Sequence, residues 1–339
     1  MKRAGHLLPR IAERGNLVLA FWKAARGRRN SNTVRGFAGG LDERLRSLSR
    51  EILDGSVTVG EFARFVVFDP KQRTIHAAPF RERVLHHAIM NICGPHFERG
   101  AIDGSCACRA GKGNRAALVQ ARRFAARKAH FLKMDIRRYF DSVDHDRLQE
   151  RLRRLFKDAA LLRLLDRIVE SYQTAPGQGL PIGTLTSQYF ANFYLDALDR
   201  HVKEGLHCRC YVRFMDDFAL WHDSADQLGV WREEIALWLQ TALGLKLKPG
   251  TRLLPTVQGM PFLGFRVLPG RLLLDRRARR RFRLRLTAYE EACVRGRMGV
   301  AELQRRVEAL LAHTDQAQCR AWRRRVLALR DEAEKVLPP

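Results

Sequence analysis

The stretch Tyr211 to Trp221 (YVRFMDDFALW) sets two adjacent carboxylates, Asp216 and Asp217, at the centre of an apolar hairpin pattern. A third acid, Asp135, is embedded in the short apolar strand Phe131–Ile136 (FLKMDI). Burying an isolated carboxylate costs several kcal/mol, so acids placed this way are usually paired with bases or bound to metal. Neighbouring residues on a strand point to opposite faces, so a tight turn at 216–217 is needed to use these acids together. A hairpin there can set Asp216 beside Asp135 on a neighbouring strand. Two carboxylates in that arrangement can clamp a pair of Mg²⁺ ions ~3.5–4 Å apart. Few protein oxygens are needed, because phosphates and water complete such shells. The competing reading is a turn with two solvated acids.

The charge balance bears on that choice. Across 339 residues, 62 Lys+Arg stand against 36 Asp+Glu, a net charge of +26. An apolar content of 46% excludes wholesale disorder. Such an excess strains a compact fold unless a polyanion neutralises part of it, which makes nucleic acid the leading partner and a membrane surface the second. No stretch approaches the ~18–20 apolar residues of a membrane span. The basic Met1–Arg10 segment is a poor leader, because Arg10, Glu13 and Arg14 break the apolar run behind it. The seven cysteines form no small-scaffold pattern and fit a reducing, cytoplasmic compartment. The Cys106-x-Cys108 and Cys208-x-Cys210 pairs miss the C-x₂₋₄-C spacing of zinc sites.

Residues 1–40 hold nine basic residues and one acid, Glu13, and read either as a solvated basic arm or as a nucleic-acid contact with one short helix, Leu17–Ala25. A helix is expected over Leu41–Leu53, and a hairpin over Phe62–Phe80 with its turn at Pro70-Lys71. Further helices are expected over Arg83–Cys93, Asp146–Ser171, Thr186–Glu204 and Leu228–Leu243, with a single strand over Pro261–Leu268. The chain is helical from Arg276 onward. The run RRARRRFRLR at 276–285 suits a helix gripping duplex phosphates. Without internal repeats or low-complexity linkers, the parts are expected to pack as one molecule.

Several of these segments together resemble a known family. YVRFMDDFAL resembles the Y-x-D-D catalytic hairpin of reverse transcriptases, and LKMDIRRYFDSVDHDRL their first palm motif. GLPIGTLTSQYFANFYLDALD resembles the helix motif between them, and PFLGF the primer-grip strand. PKQRTIHAAPFRERVLHHAI and SCACRAGKGNRAAL resemble the fingers motifs, and the order and spacing agree across roughly residues 60–270. The resemblance implies an α+β right-hand polymerase with fingers, a palm built on an antiparallel sheet, and a helical thumb. On that basis residues 1–130 are a basic extension plus fingers, 131–268 the palm with fingers helices inserted near 146–175, and 269–339 the thumb.

The same resemblance implies roles residue by residue. Asp135, Asp216 and Asp217 are the catalytic acids, of which Asp135 and Asp216 are metal ligands with the Ile136 backbone carbonyl and Asp217 lies beside them, and Mg²⁺ is the cofactor, as two ions, with Mn²⁺ able to substitute. Phe214 stands where the family most often has Tyr, which loses only a hydroxyl. Phe140, five residues after Asp135, is the steric gate beneath the incoming sugar, with core packing as the alternative. Lys71, Arg73 and Arg81 match the basic fingers positions, Arg73 being the choice for the triphosphate. Ile182, Gly183 and Gln188 border the nucleotide. Arg109 and Lys112 contact template phosphates, and Phe262, Leu263 and Gly264 grip the primer. For each cation, plain surface charge is the alternative. Lys246 and Lys248 are both candidates for a lysine of the fourth palm motif.

The helix motif narrows the resemblance. Most of the family carries Q-G-x-x-x-S-P, whereas this chain reads Ile182-Gly183-Thr184-Leu185-Thr186-Ser187-Gln188. This resembles reverse transcriptases of diversity-generating retroelements, as does the opening MKRAGHLL…NLVLAFWKAARGRR. Implied partners are a template RNA, an RNA/DNA duplex, dNTPs and a small accessory-variability protein that forms a ring, with errors at template adenines. An antiviral-defence reverse transcriptase and a catalytically inactive RNA-binding homologue are the alternatives.

Overall fold

The computed structural model describes residues 3–68 and 72–334. Four helices open the chain: α1 (Leu8–Ala12), α2 (Arg14–Ala25), α3 (Asn32–Ala38) and α4 (Leu41–Asp54). They form no solvated arm. Leu7, Leu8, Ile11, Leu17, Phe21, Val34 and Phe37 are buried in the main core. Burying one such side chain is worth about 1.5–3 kcal/mol, whereas exposed like charges repel by about 1 kcal/mol or less per contact, so apolar packing prevails over the basic surface.

A two-stranded antiparallel hairpin follows, β1 (Ala63–Phe68) and β2 (Gln72–Ala77). Helix α5 (Phe80–Arg99) then runs through Pro95 and beyond the Cys93 limit expected from sequence. The proline removes one helical hydrogen bond. Burial of Phe97 against Phe156 and Phe193, at centroid distances of 5.6 and 5.1 Å, accompanies the continuation. Next come α6 (Asn114–Ala125) and β3 (His130–Asp135).

The helical region expected over 146–171 is two helices, α7 (His145–Leu155) and α8 (Ala159–Glu170). Asp158 makes the break. Its carboxylate caps α8 through the Leu161 amide and also accepts from the amides of Leu7 and Leu8 at 2.8 and 3.1 Å. The chain start therefore docks where the helix is interrupted. Beyond the Gly/Pro loop, α9 (Leu185–Tyr194) and α10 (Asp196–Arg200) lead through a π-turn to β4 (Tyr211–Phe214) and β5 (Asp217–His222). The π-turn marks a break in what the sequence presents as one helix over 186–204.

Helix α11 (Ala225–Leu243) and strand β6 (Arg252–Pro255) complete a four-stranded antiparallel sheet in the order β4-β5-β3-β6. Both its faces are covered. Leu132, Met134, Phe218 and Leu220 join the helical core with α5, α9 and α11. Phe131, Val212, Ala219 and Trp221 meet α6 and a second sheet. That second sheet overturns the single strand expected at 261–268. It is a three-stranded meander of β7 (Met260–Phe262), β8 (Phe265–Leu268) and β9 (Arg271–Leu274), with Leu263 and Gly264 forming the turn at φ 51° and 85°. Helices α12 (Arg276–Val294), α13 (Val300–Thr314) and α14 (Arg320–Glu334) end the described chain around a small cluster of Phe282, Leu286 and Val326. The architecture is the α+β right-hand polymerase fold. Among the described residues no helix is long and apolar enough to cross a membrane.

Candidate active site

The three acids meet at one end of the four-stranded sheet. Strands β3 and β5 run antiparallel with Asp135 opposite Asp217, so both carboxylates leave the same sheet face. Phe214 pairs with Asp217, which leaves Met215 and Asp216 as a two-residue turn. Met215 has φ 55°, a backbone region that non-glycine residues seldom occupy. This turn presents Asp216 towards Asp135, as the hairpin argument requires.

Electrostatics bind the three unequally. Burial, with the charge of Asp135 second, raises the Asp216 carboxyl above its ordinary range. Burial pushes Asp217 up to about 6, opposed by the Lys133 ammonium at 3.0 Å. Lys133 also lies 5.9 Å from the centre of the buried Phe262 ring. Asp135 faces the Lys248 ammonium at 3.1 Å. Asp217 is therefore tied to a lysine on its own sheet, while Asp135 and Asp216 open onto a cleft.

That cleft holds about 460 Å³ and is lined by Arg73, Asp135, Ile136, Arg137, Arg138, Phe140, Ile182, Asp216 and Lys248, among others. Arg73 comes from β2, the acids from the sheet, Phe140 from the 3₁₀ turn Tyr139–Ser142, and Ile182 from the loop before α9. The loop is fastened to the hairpin, since the His76 amide donates to the Ile182 carbonyl at 2.8 Å. Gly183 makes that approach possible. At φ 124° a Cβ there would lie 2.7 Å from Ile75 Cγ2 and 3.0 Å from the His76 oxygen. Between the two lysines left open by sequence, Lys248 lines the cleft, while the Lys246 carbonyl accepts from the Arg137 amide.

Other sequence candidates lie elsewhere. Arg81 pairs with Glu51 of α4 at 2.6 Å. Arg109 donates to the carbonyls of Ile102 and Ser105, and Lys112 reaches Asp103, so both side chains brace the 102–112 loop. Gln188 approaches the Cys108 sulfur at 3.9 Å. Phe262, Leu263 and Gly264 form the β7–β8 corner, tied to α12 by the Asp275 amide donating to the Gly264 carbonyl at 3.1 Å. Lys71 lies outside the described residues. The seven cysteines are free thiols.

No three His, Cys, Asp or Glu side chains among the described residues converge as a ready-made metal cage. The donor set is two carboxylates in a cleft open to substrate. Hard oxygens of that kind suit Mg²⁺ or Mn²⁺, ions that keep water and substrate phosphate in their shells. The fit is also electrostatic, because a cation between Asp135 and Asp216 relieves the repulsion that raises the Asp216 carboxyl.

Sequence reading passed over what lies beneath the hairpin. Arg213 of β4 is fully buried, and its guanidinium bonds Asp199 through Nε (2.7 Å) and Nη2 (2.5 Å), Asn192 Oδ1 (2.8 Å), Ser105 Oγ (2.9 Å) and the Met215 carbonyl (3.2 Å). A charged side chain on the core-facing register of an apolar strand was the available signal. Asp196 lies 3.6 Å from the same guanidinium, and burial, reinforced by the charge of Asp199, pushes its carboxyl up to about 7. The folded protein thus keeps a proton on Asp196 that the unfolded chain releases near pH 4, and this contribution to stability is lost as pH rises towards 7. Asp196→Asn should remove that dependence. Its Tm relative to wild type is expected to climb between pH 5 and pH 8, equivalent to roughly 1–3 kcal/mol. A Tm difference flat across that range, measured by thermal unfolding, would contradict the assignment.

Residues 70–267, more than half of the chain, match the family profile "Reverse transcriptase (RNA-dependent DNA polymerase)". No curated protein matches the sequence. Similar solved structures include the apo telomerase of Candida tropicalis truncated from its C-terminal domain, at 12% identity and TM-score 0.48, covering 65% of this chain and 56% of that one. Another is the telomerase of Candida albicans with a TWJ fragment of telomeric RNA, at 13% identity and TM-score 0.45, covering 63% of this chain and 45% of that one. The chain spans about half the length of those telomerase chains. The matched span contains β2, the acid-bearing sheet and the residues that line the cleft, and the chain belongs to the reverse transcriptase (RNA-dependent DNA polymerase) family.

Proposed function

We propose that this protein copies a template RNA into cDNA by RNA-directed DNA polymerisation, in the manner of a diversity-generating retroelement. One observation carries the polymerase reading: Asp135, Asp216, Arg73, Phe140 and Ile182, scattered over 144 positions from 73 to 216, line a single cleft. Residues 1–130, 131–268 and 269–339 take the parts of basic extension with fingers, palm and thumb. Asp135 and Asp216, with the Ile136 carbonyl beside them, would hold two Mg²⁺ ions. Metal bound there supplies Lewis acidity for the primer 3′-hydroxyl and neutralises charge on the triphosphate.

The chain's own groups do the rest. Arg73, Arg137, Arg138 and Lys248 line the cleft as cations for the triphosphate, whose charge shifts as the leaving group departs. Phe140, which lines the cleft, is the proposed gate against a 2′-hydroxyl. Gly183 seats the loop that carries Ile182 against β2. The Phe262–Gly264 corner steadies the primer, and the arginines of α12 grip duplex phosphates. Catalysis of this kind is chiefly positioning and charge neutralisation. The free thiols suit a reducing, cytoplasmic setting, and a ring-forming accessory protein is the proposed partner for target choice.

The test is Mg²⁺-dependent dNTP incorporation on an RNA template with a DNA primer. Failure in a folded preparation that still binds RNA would favour the inactive RNA-binding homologue, and a genomic template/variable repeat pair separates the retroelement from antiviral defence. Ile182 bears on fidelity. It brings an apolar side chain to the nucleotide cleft where most of the family has an amide, so fewer hydrogen bonds enforce pairing geometry. Ile182→Gln is expected to lower misincorporation opposite adenine several-fold in a primer-extension assay. An unchanged error rate would remove Ile182 from the account.

A further inference from the structure

We propose that Arg213 is a positioning residue for the catalytic turn: its buried guanidinium fixes the Met215 carbonyl and, through the next peptide, the carboxylate of Asp216. The inference rests on the polymerase reading and deepens it. Arg213 itself cannot touch substrate. It is wholly buried and lies on the opposite sheet face from Asp135 and Asp217, in register with Phe218 rather than with the acids.

Its contacts reach three separate segments. Asp199 of α10 and Asn192 of α9 hold one side of the guanidinium, with the Tyr211 hydroxyl donating to the same Asp199 oxygen at 2.7 Å. Ser105, from the loop before α6, holds another. The Arg213 backbone fastens that loop as well, because the Cys106 amide donates to its carbonyl at 3.0 Å and its amide donates to the Gly104 carbonyl at 2.9 Å. Gly104 leaves no room to loosen this seam, since a Cβ there would meet the Tyr211 carbonyl at 2.6 Å. The remaining donor, Nη1, is shared between Asn192 and the carbonyl of Met215.

That carbonyl belongs to a residue in an unfavourable conformation. With φ positive only at Met215 of the two turn residues, the turn has the type II′ pattern, whose first central position favours glycine. Backbone held in sparsely populated regions persists where the surroundings over-determine it. The surroundings here include the Nη1 bond, the Cys108 sulfur 4.0 Å from the Met215 sulfur, and the Ile136 amide, which donates to the Asp216 carbonyl at 3.4 Å. Arg213 is thus the charged clamp between a rigid scaffold of two helices and a strained turn that aims a metal-binding carboxylate. A small change in the turn would move Asp216 relative to Asp135 without opening the core.

The experiment uses the full chain and a single-nucleotide extension assay with RNA template and DNA primer. Wild type is measured first, and absence of incorporation there rejects the polymerase reading rather than this inference. Arg213→Lys keeps a cation beside Asp199 but cannot reach Asn192, Ser105 and Met215 together. The expected result is at least a tenfold fall in kcat and a several-fold rise in the Mg²⁺ concentration for half-maximal rate, with duplex affinity within twofold of wild type. The decisive readout is rescue. Glycine accepts positive φ without strain, so in a Met215→Gly background the same Arg213→Lys change should cost less than threefold in kcat. An equal loss in both backgrounds, or no loss in either, overturns the proposal. Should Arg213→Lys fail to fold, Asn192→Ala removes the acceptor that orients Nη1 while sparing the Asp199 pair. A fivefold fall in kcat with unchanged duplex affinity then supports the proposal, and an unchanged kcat overturns it.

Discussion

Asp216→Asn should reduce nucleotide addition by at least ~10³-fold, about 4 kcal/mol of transition-state stabilisation, while leaving affinity for template RNA within about twofold. The substitution is nearly isosteric and sits in a two-residue turn, so β4 and β5 keep their register. What it removes is one of the two sheet-borne carboxylates, Asp135 and Asp216, that line the cleft. Asp217 is not expected to take over, because it does not line the cleft and Lys133 holds its carboxylate at 3.0 Å. The proposed template contacts do not include the Asp216 carboxylate, so RNA affinity is not expected to follow. Stability separates loss of function from loss of fold. Burial and the neighbouring charge of Asp135 disfavour an ionised Asp216, so an uncharged amide relieves repulsion. The variant should melt at or above the wild-type temperature at pH 8, the usual exchange of stability for activity at a charged site. Wild-type extension rates in a folded Asp216→Asn protein would end the assignment. A depressed Tm would shift the explanation to misfolding.

How much of this was legible in the sequence depends on whether the burial of a segment came from local pattern or from distant partners. The β4–β5 hairpin was legible because its sheet is covered on both faces, so its strands read as apolar runs interrupted only where the acids emerge. Helix α4, with Leu45, Leu48 and Ile52 on one buried stripe, was legible for the same reason. The β7–β8 corner was not. Phe262-Leu263-Gly264-Phe265 has no polar turn residue besides glycine, and only the positive φ at Leu263 and Gly264 reveals the reversal. The α7–α8 break was hidden as well, since the Asp158 cap on Leu161 is reinforced by Leu7 and Leu8, which arrive from 150 residues away. At the site, motif resemblance supplied the acids, Arg73, Phe140 and Ile182. It did not supply Lys133, Lys248 as distinct from Lys246, or Arg213, because those depend on cross-strand register and on which face a helix presents. Pairing of this kind is set by tertiary structure rather than by neighbours in the chain.

Phe140→Ala should collapse discrimination between deoxy- and ribonucleotides by roughly 10²-fold, about 2.7 kcal/mol at the transition state. The argument turns on rigidity. The Phe140 carbonyl accepts from the Leu180 amide at 2.7 Å, and its ring stands edge-on to Tyr139 with centroids 5.8 Å apart. Tyr139 is buried, and its hydroxyl donates to the Ala191 carbonyl of α9. The backbone beneath the ring is thus fixed by two elements, so removing the ring leaves space in the cleft rather than a collapsed loop. A ribose 2′-hydroxyl gains that space, whereas a deoxyribose gains little. The change should therefore appear as a higher kcat/KM for ribonucleotides with the deoxynucleotide value altered less than about threefold. Core packing makes the opposite forecast. A ring whose main role is structural would cost about 3–5 kcal/mol when truncated, lower both rates together and leave their ratio intact. Single-nucleotide kinetics with matched dNTP and rNTP, read beside a thermal melt of the same preparation, decide between the two. Because the ratio is internal to one sample, partial unfolding cannot imitate a gain in ribonucleotide use.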